Sequence, residues 1–310
     1  MRIYFLILAC CIIDGASSRA ASPPITALAF SPNGKHVVAG SQAGVELRAW
    51  PTLEKTDVLR SELSHVHDLA FSPDGAMLAV AGGSPAEFGA VEIFRWPERE
   101  LLRRFRPHND SIFSIRWKRD ASALATASAD GAAAVHDAAS GKMLHKFDGH
   151  SRPVLAVLYL ANDETLASAG VDETIRLWNA ASGEAFRALA NHTRSVHALA
   201  LHPSSDDDEN AMLASAGDDR TVRFWQPVRG RLVRFARLES IPRAIAWTAD
   251  GRTLVVACHD GRVRTIDPET AEVVSDRPAL DGVAYCLAIA PNGDVLVGGE
   301  NGQLRKITTR

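Results

Sequence analysis

The 310 residues carry 34 Lys+Arg against 37 Asp+Glu, a net charge of −3, and 46% of them are hydrophobic. A mean hydropathy of −0.05 and a pI near 6.4 describe a globular chain and argue against general affinity for nucleic acid or an acidic membrane surface. Length alone suggests two domains, but internal repetition replaces that expectation with one continuous stack of units.

The N-terminus differs from the rest. Met1-Arg2 supplies positive charge, Ile3 to Ile13 is unbroken apolar sequence, and Asp14 to Ala21 is small and polar. That order is the one found in a secretory signal peptide, and the apolar run falls short of the ~20 residues a spanning helix needs. Cleavage after Ser18 or Ala20 predicts a signal over residues 1–20, a mature chain over 21–310, and a secreted or periplasmic protein with no membrane insertion once the signal is removed. The alternative is that Tyr4–Ile13 is kept as a strand, which would make the protein cytoplasmic. Ile7-Leu8-Ala9-Cys10 looks like a lipoprotein box, but the apolar stretch before Cys10 is too short to insert well. Cys10 and Cys11 would leave with the signal. Cys258 and Cys286 stand where other copies carry Ala or Ser, and are read as reduced core thiols. There is no Cys-x-x-Cys, so no zinc ribbon, thioredoxin motif or haem attachment is expected, and no cofactor.

From residue 25 onward, strand-length apolar runs alternate with turn clusters. Inner strands are predicted at Ile25–Phe30, Val66–Phe71, Ile112–Trp117, Val154–Tyr159, Val196–Leu201, Ala244–Trp247 and Ala284–Ile289. Tight turns such as Ser31-Pro32-Asn33-Gly34 and Ser72-Pro73-Asp74-Gly75 follow, because Asn-Gly and Asp-Gly accept positive φ. Second strands are apolar on both faces, and fourth strands such as Lys142–Phe147 and Arg231–Phe235 are more polar. Counting inner strands gives seven units, over about 25–62, 63–106, 107–148, 149–190, 191–237, 238–279 and 280–310.

Three units share a pattern. His108, His150 and His192 are 42 residues apart, and each precedes a hydroxyl/carboxylate pair: Thr126/Asp130, Ser168/Asp172 and Ser215/Asp219. Trp178 and Trp225 follow six residues after the second and third Asp. Self-similarity at this period marks a repeat architecture. The chain resembles the tryptophan–aspartate (WD) repeat β-propeller family over nearly all its length after residue 24. The resemblance implies an all-β, seven-bladed propeller. It also implies a buried chain within a blade, from Trp178 to Ser168, Ser168 to His150 and His150 to Asp172. A donor-only indole, a hydroxyl, an imidazole and an acceptor-only carboxylate suit such a chain. Ser, His and Asp are also the parts of a hydrolase triad, but three copies at repeat spacing favour structure over catalysis.

The pattern decays outward. Blade 3 has His136 in place of the Trp, and blades 1 and 2 keep Trp50 and Trp96 without the other members. Blade 6 (Val256, Asp260, Ile266) and blade 7 (Val297, Asn301, Ile307) are expected to have lost the polar chain. The sequence ends just after a third strand of blade 7, Gln303–Thr308, so either that blade has three strands or Tyr4–Ile13 closes it.

Two insertions, 82–89 in blade 2 and 204–210 in blade 5, fall on opposite faces of the disc and are read as solvated loops. The acidic run Asp206-Asp207-Asp208-Glu209 lacks the alternating ligands and central Gly of a calcium loop. Arginines on the outer strands of blades 2 and 5 are read as edge protection. Of the two glycosylation patterns, Asn109-Asp110-Ser111 and Asn191-His192-Thr193, the second overlaps the network His192. Resemblance places partner docking on the face with the turn before the network Asp, giving Ser111, Pro153, Val171, Ser195, Asp218, His259 and Glu300 as candidates. The set is mixed in charge and poor in aromatics, so it names no anchor. The axial strands are apolar, with isolated His67, Asp68, Arg116 and His197. The reading is a monomeric, non-enzymatic scaffold for an unknown protein partner, without nucleic acid. Its rival is an extracytoplasmic enzyme or redox-complex component using the central channel.

Overall fold

A computed structural model describes residues 22–205 and 207–308. Seven antiparallel sheets follow one another along the chain, six of four strands and a last one of three. Blade 4 shows the unit: inner strand Val154–Tyr159, then Thr165–Gly170, Ile175–Asn179 and outer strand Ala185–Leu189, hydrogen-bonded in that order. Apart from a single 3-10 turn at Glu300–Gly302, the regular structure among the described residues is all strand. Six inner strands match the expected bounds. The blade 6 strand starts earlier, at Pro242, where a strand's first residue tolerates the missing N–H.

The second strands are apolar on both faces because each blade has a neighbour on either side. Ala123–Ser128 and Thr165–Gly170 are buried throughout. The core is accordingly divided into clusters between successive blades. One joins blade 3 to blade 4 through Ala125, Phe147, Val157, Tyr159 and Trp178. Another joins blade 5 to blade 6 through Phe224, Trp247 and Val256. Two indoles also bond across blades, Trp117 to the Ala70 carbonyl at 2.9 Å and Trp247 to the Ala200 carbonyl at 3.1 Å.

The closing contact between blades 7 and 1 has the smallest buried apolar cluster, built on Ile25, Ala39 and Cys286. It needs Gly298: a Cβ there would lie 2.7 Å from Ile25 Cγ2. Blade 7 consists of Ala284–Ile289, Val295–Gly299 and Leu304–Ile307. The segments read as a signal peptide or as a closing strand lie outside the described residues. Cys258 and Cys286 are free and buried. Burial pushes the Cys258 thiol up to about 11 and Cys286 also upward, so both stay protonated near neutrality.

Both insertions are tied to neighbouring blades. In blade 2 the Ala86 N–H donates to the Asp110 carboxylate of blade 3 at 2.9 Å. In blade 5 Asp208, only 9% exposed, accepts from the Asn162 N–H of blade 4 at 3.1 Å.

Candidate docking face at the channel mouth

The Ser, His and Asp side chains of the repeat form closed chains. In blade 4 the Trp178 indole donates to Ser168 Oγ at 2.7 Å, Ser168 Oγ lies 2.7 Å from His150 Nε2, and His150 Nδ1 lies 3.0 Å from both Asp172 oxygens. An ionised carboxylate only accepts, so His150 carries its proton on Nδ1 and its Nε2 receives the serine proton. Blade 5 repeats this with Trp225, Ser215, His192 and Asp219 at 2.8, 2.8 and 2.9 Å. In blade 3 His136 Nε2 takes the indole's place, 2.9 Å from Thr126 Oγ1, which lies 2.8 Å from His108 Nε2; His108 Nδ1 is 2.9 Å from Asp130.

Each carboxylate also collects donors from the turns it joins. Asp172 accepts from the Ser151 N–H and from the N–H and hydroxyl of Thr174. Burial would raise Asp130, but bonds from His108 and from the N–H groups of Ala132 and Asn109 outweigh it and hold the acid at about 2. The hydroxyls of Thr126, Ser168 and Ser215 belong to residues with no exposed surface. A nucleophile sealed from solvent and bonded on both sides cannot reach a substrate, so these chains are struts.

The strut motif extends to residues the sequence reading passed over. Opposite the position of the network hydroxyl, held by Val256 in blade 6, the third strand carries Arg176 in blade 4, Arg223 in blade 5 and Arg264 in blade 6. They approach Asp172, Asp219 and Asp260 at 3.9, 3.4 and 2.8 Å. Arg264 has a side chain only 3% exposed and also reaches Asp276 at 3.2 Å. Blade 6 has lost the indole–hydroxyl–imidazole chain, as Val256 and Ile266 predict, but a buried ion pair of Arg264 with Asp260 braces the same turn where apolar packing alone was expected. The Asp-x-x-x-Arg spacing in three consecutive blades was the available signal. Blade 2 puts Glu92 at the same position, fully buried and accepting from Arg104 Nε at 2.8 Å.

On one face of the disc, in blades 2 to 7, the loop leading into the inner strand is stitched to the following turn by a backbone bond. Pro153 O accepts from Val171 N–H, Ser195 O from Asp218 N–H, Ile241 O from His259 N–H and Val283 O from Glu300 N–H, at 2.8–2.9 Å. The candidates Pro153, Val171, Ser195, Asp218, His259 and Glu300 are thus side by side on this face. Ser111 is there too, but only 2% exposed with its hydroxyl buried, so it offers a partner little. Glu300 turns its carboxylate inward to the Val283 N–H at 3.0 Å. At Gly170 a Cβ would fall 2.2 Å from the Pro153 carbonyl, which is why glycine precedes that turn.

The same face holds an arrangement the sequence reading missed. Every inner strand has a register shift at its second residue. A bulge re-aims the side chain it carries. Thr26, His67, Phe113, Leu155, His197, Arg243 and Tyr285 consequently form one ring around the mouth of a central channel with about 400 Å³ of open volume. The ring supplies the aromatics absent from the sequence-derived set, with Tyr285 37% exposed.

His197 and Asp68 are not isolated, contrary to expectation. His197 Nε2 lies 2.6 Å from Asp218 Oδ1 and 3.0 Å from an Arg243 terminal nitrogen. One ring nitrogen cannot donate to a carboxylate and accept from a guanidinium at once. The shorter contact assigns the proton between His197 and Asp218, leaving Arg243 a longer ion pair, 3.7 Å from its terminal nitrogen to Asp218 Oδ1. Arg243 Nε is buried with no partner, and the other terminal nitrogen is 3.3 Å from His259 Nδ1. Burial, opposed by Asp218, lowers His197; burial with the nearby His65 lowers His67 to about 4. Deeper in the channel, Asp68 pairs with Arg116 and accepts from the Ile115 N–H at 2.9 Å.

Seven antiparallel blades, two of them braced by an indole–hydroxyl–imidazole–carboxylate chain and a third by its imidazole variant, define a β-propeller of the WD type. The chain belongs to the WD domain, G-beta repeat family, whose model matches residues 16–44, 56–84, 99–137, 141–179 and 183–226, more than half of the sequence. A second model, the anaphase-promoting complex subunit 4 WD40 domain, matches residues 223–292. Among curated proteins it is similar to WD repeat-containing protein 1 of Rattus norvegicus, 32% identical over 34% of this chain and 18% of that protein. The Gallus gallus counterpart is 33% identical over the same shares, and the Bos taurus one 30% over 29% and 15%. The chain therefore matches less than a fifth of these relatives' length. The 99–137 match runs from the outer strand of blade 2 through the third strand of blade 3, so that sequence repeat spans two blades.

Proposed function

We propose that the protein is a non-enzymatic, extracytoplasmic scaffold that docks a protein partner on the channel-mouth face. The observation that carries this reading is the ring of seven bulge-directed side chains, half-exposed Tyr285 and Phe113 among them, set on a backbone stitched turn to loop. Rigid aromatic anchors surrounded by polar groups are what protein hot spots use. The rival enzymatic reading is disfavoured by the sealed network hydroxyls and by the pairing of Asp68 with Arg116 in the channel.

Chemical crosslinking in the native extracytoplasmic fraction tests the docking face. A Phe113→Ala/Tyr285→Ala double variant with an unchanged melting temperature should lose the crosslinked partner. Substitution of Val274, 62% exposed on the outer edge of blade 6, should leave it. Loss only with the edge variant would move the interface to the rim. Residues 1–20 are proposed as a cleaved signal, and N-terminal sequencing of protein recovered from expressing cells should begin near Ser18 or Ala20. A chain starting at Met1 would refute export.

A further inference from the structure

We infer that the mouth face takes an acidic peptide segment, gripped by an arc of arginines over blades 4 to 6. This deepens the docking reading and rests on it. Arg152 and Arg194 occupy the same repeat position, two residues after the network histidines His150 and His192. Both are exposed, and neither has a hydrogen-bond or ion-pair partner among the described residues. Arg243 continues the arc into the mouth.

Three features set this arc apart from the other basic residues of the chain. First, Arg243 is only loosely held: its Nε is buried without a partner, His197 Nε2 is committed to Asp218, and Asp218 Oδ1 lies 3.7 Å from its terminal nitrogen, beyond hydrogen-bond length. A planar guanidinium with free N–H donors matches a carboxylate in two-point geometry. Second, Tyr285 of the next blade stands beside Arg243 in the ring with its side chain exposed, adding a hydroxyl donor. Third, the network aspartates cannot neutralise Arg152 and Arg194. Asp172 and Asp219 already hold a histidine, backbone N–H groups and their own arginines, Arg176 and Arg223. By contrast, the outer-strand Arg104 is already held by Glu92 and Glu62.

The remaining sector of the face does not compete for the same charge. Asp110 accepts from the Ala86 N–H and Glu300 from the Val283 N–H, so both carboxylates are turned toward backbone. An acidic segment lying across blades 4 to 6 would place one carboxylate on Arg243 at the mouth and others on Arg194 and Arg152.

The test is fluorescence anisotropy of the full chain with a labelled glutamate-rich peptide and a lysine-rich peptide of equal length. The acidic peptide should bind and weaken with rising salt, as charge-led contacts do; the basic one should not bind. An Arg152→Ser/Arg194→Ser variant, altered only at exposed sites, should lose about tenfold in affinity. Arg243→Lys, which keeps the charge but not the fork, should also weaken binding. An Arg231→Ser/Arg234→Ser variant on the blade 5 outer strand should bind as the parent does. Equal affinity of the parent and the Arg152/Arg194 variant, or no binding of the acidic peptide, overturns the inference. The docking reading is judged separately. If the crosslinked partner survives the arginine substitutions but is lost with Phe113→Ala/Tyr285→Ala, the mouth still docks a protein and only the acidic chemistry is wrong.

Discussion

Trp178→Ala is expected to lower the unfolding free energy by about 3–5 kcal/mol, the range for truncating a buried aromatic. The indole is 3% exposed and has two jobs. Its N–H ends the polar chain on Ser168, and its ring fills the space between blades 3 and 4, 5.2 Å from the Phe147 ring. It also lies so close over Gly149 that a Cβ there would be 2.3 Å from Trp178 Cη2. Ser168→Ala removes only the hydroxyl and should cost about 1–3 kcal/mol, through the orphaned Trp178 and His150 nitrogens. Denaturant melts of both variants check the order. A neutral Trp178→Ala would sink the assignment of the chain as a brace within blade 4.

The second large effect is acid destabilisation. Burial holds His192 at about 4 despite the opposing pull of Asp219, His67 at about 4, and His136 at about 3, against an ordinary value of 6.5. Above 6.5 both folded and unfolded chains leave these imidazoles neutral, and the stability is complete. As pH falls below 6.5 the unfolded chain takes up protons that the folded chain refuses until near 4, so the unfolded state is favoured. A drop of that size is worth on the order of 3 kcal/mol at one site. The carboxylates act in the same direction at lower pH. Asp130, held at about 2, gives stability that is present above its ordinary value of 3.8 and lost as pH falls through its folded value. Thermal melts should therefore show a falling midpoint between pH 6.5 and 4, steepening below. A flat profile over that interval would mean that the imidazoles are solvated.

Much of the architecture was legible along the chain, for reasons visible in particular residues. The inner strand Val154–Tyr159 and its hairpin turn are local statements of apolar run and turn chemistry, and the strand lies where that pattern predicts. The Trp178–Ser168–His150–Asp172 chain was legible because copies at one period expose a shared residue type. Blade 6 was misjudged because its bracing changed chemistry. Val256 and Ile266 replaced the hydroxyl and indole, while Asp260 kept its role with Arg264 as partner. A search for the same residue types misses a substitution of one polar chain by another.

The mouth ring was illegible for a different reason. Thr26, His67, Phe113, Leu155, His197, Arg243 and Tyr285 share no residue type, and only a one-residue bulge in each inner strand turns them to the axis. Ladder alternation alone would not aim them together. The sequence by itself determined the repeat, the number of blades and the sealed character of the Ser, His and Asp residues, because period and residue type are both written locally. Only the tertiary structure decided which side chains meet at the channel and which charges are already paired. A closed ring makes neighbours of residues one repeat apart, so whether a charge such as Arg243 finds a partner is set by adjacent blades and not by adjacent positions in the chain.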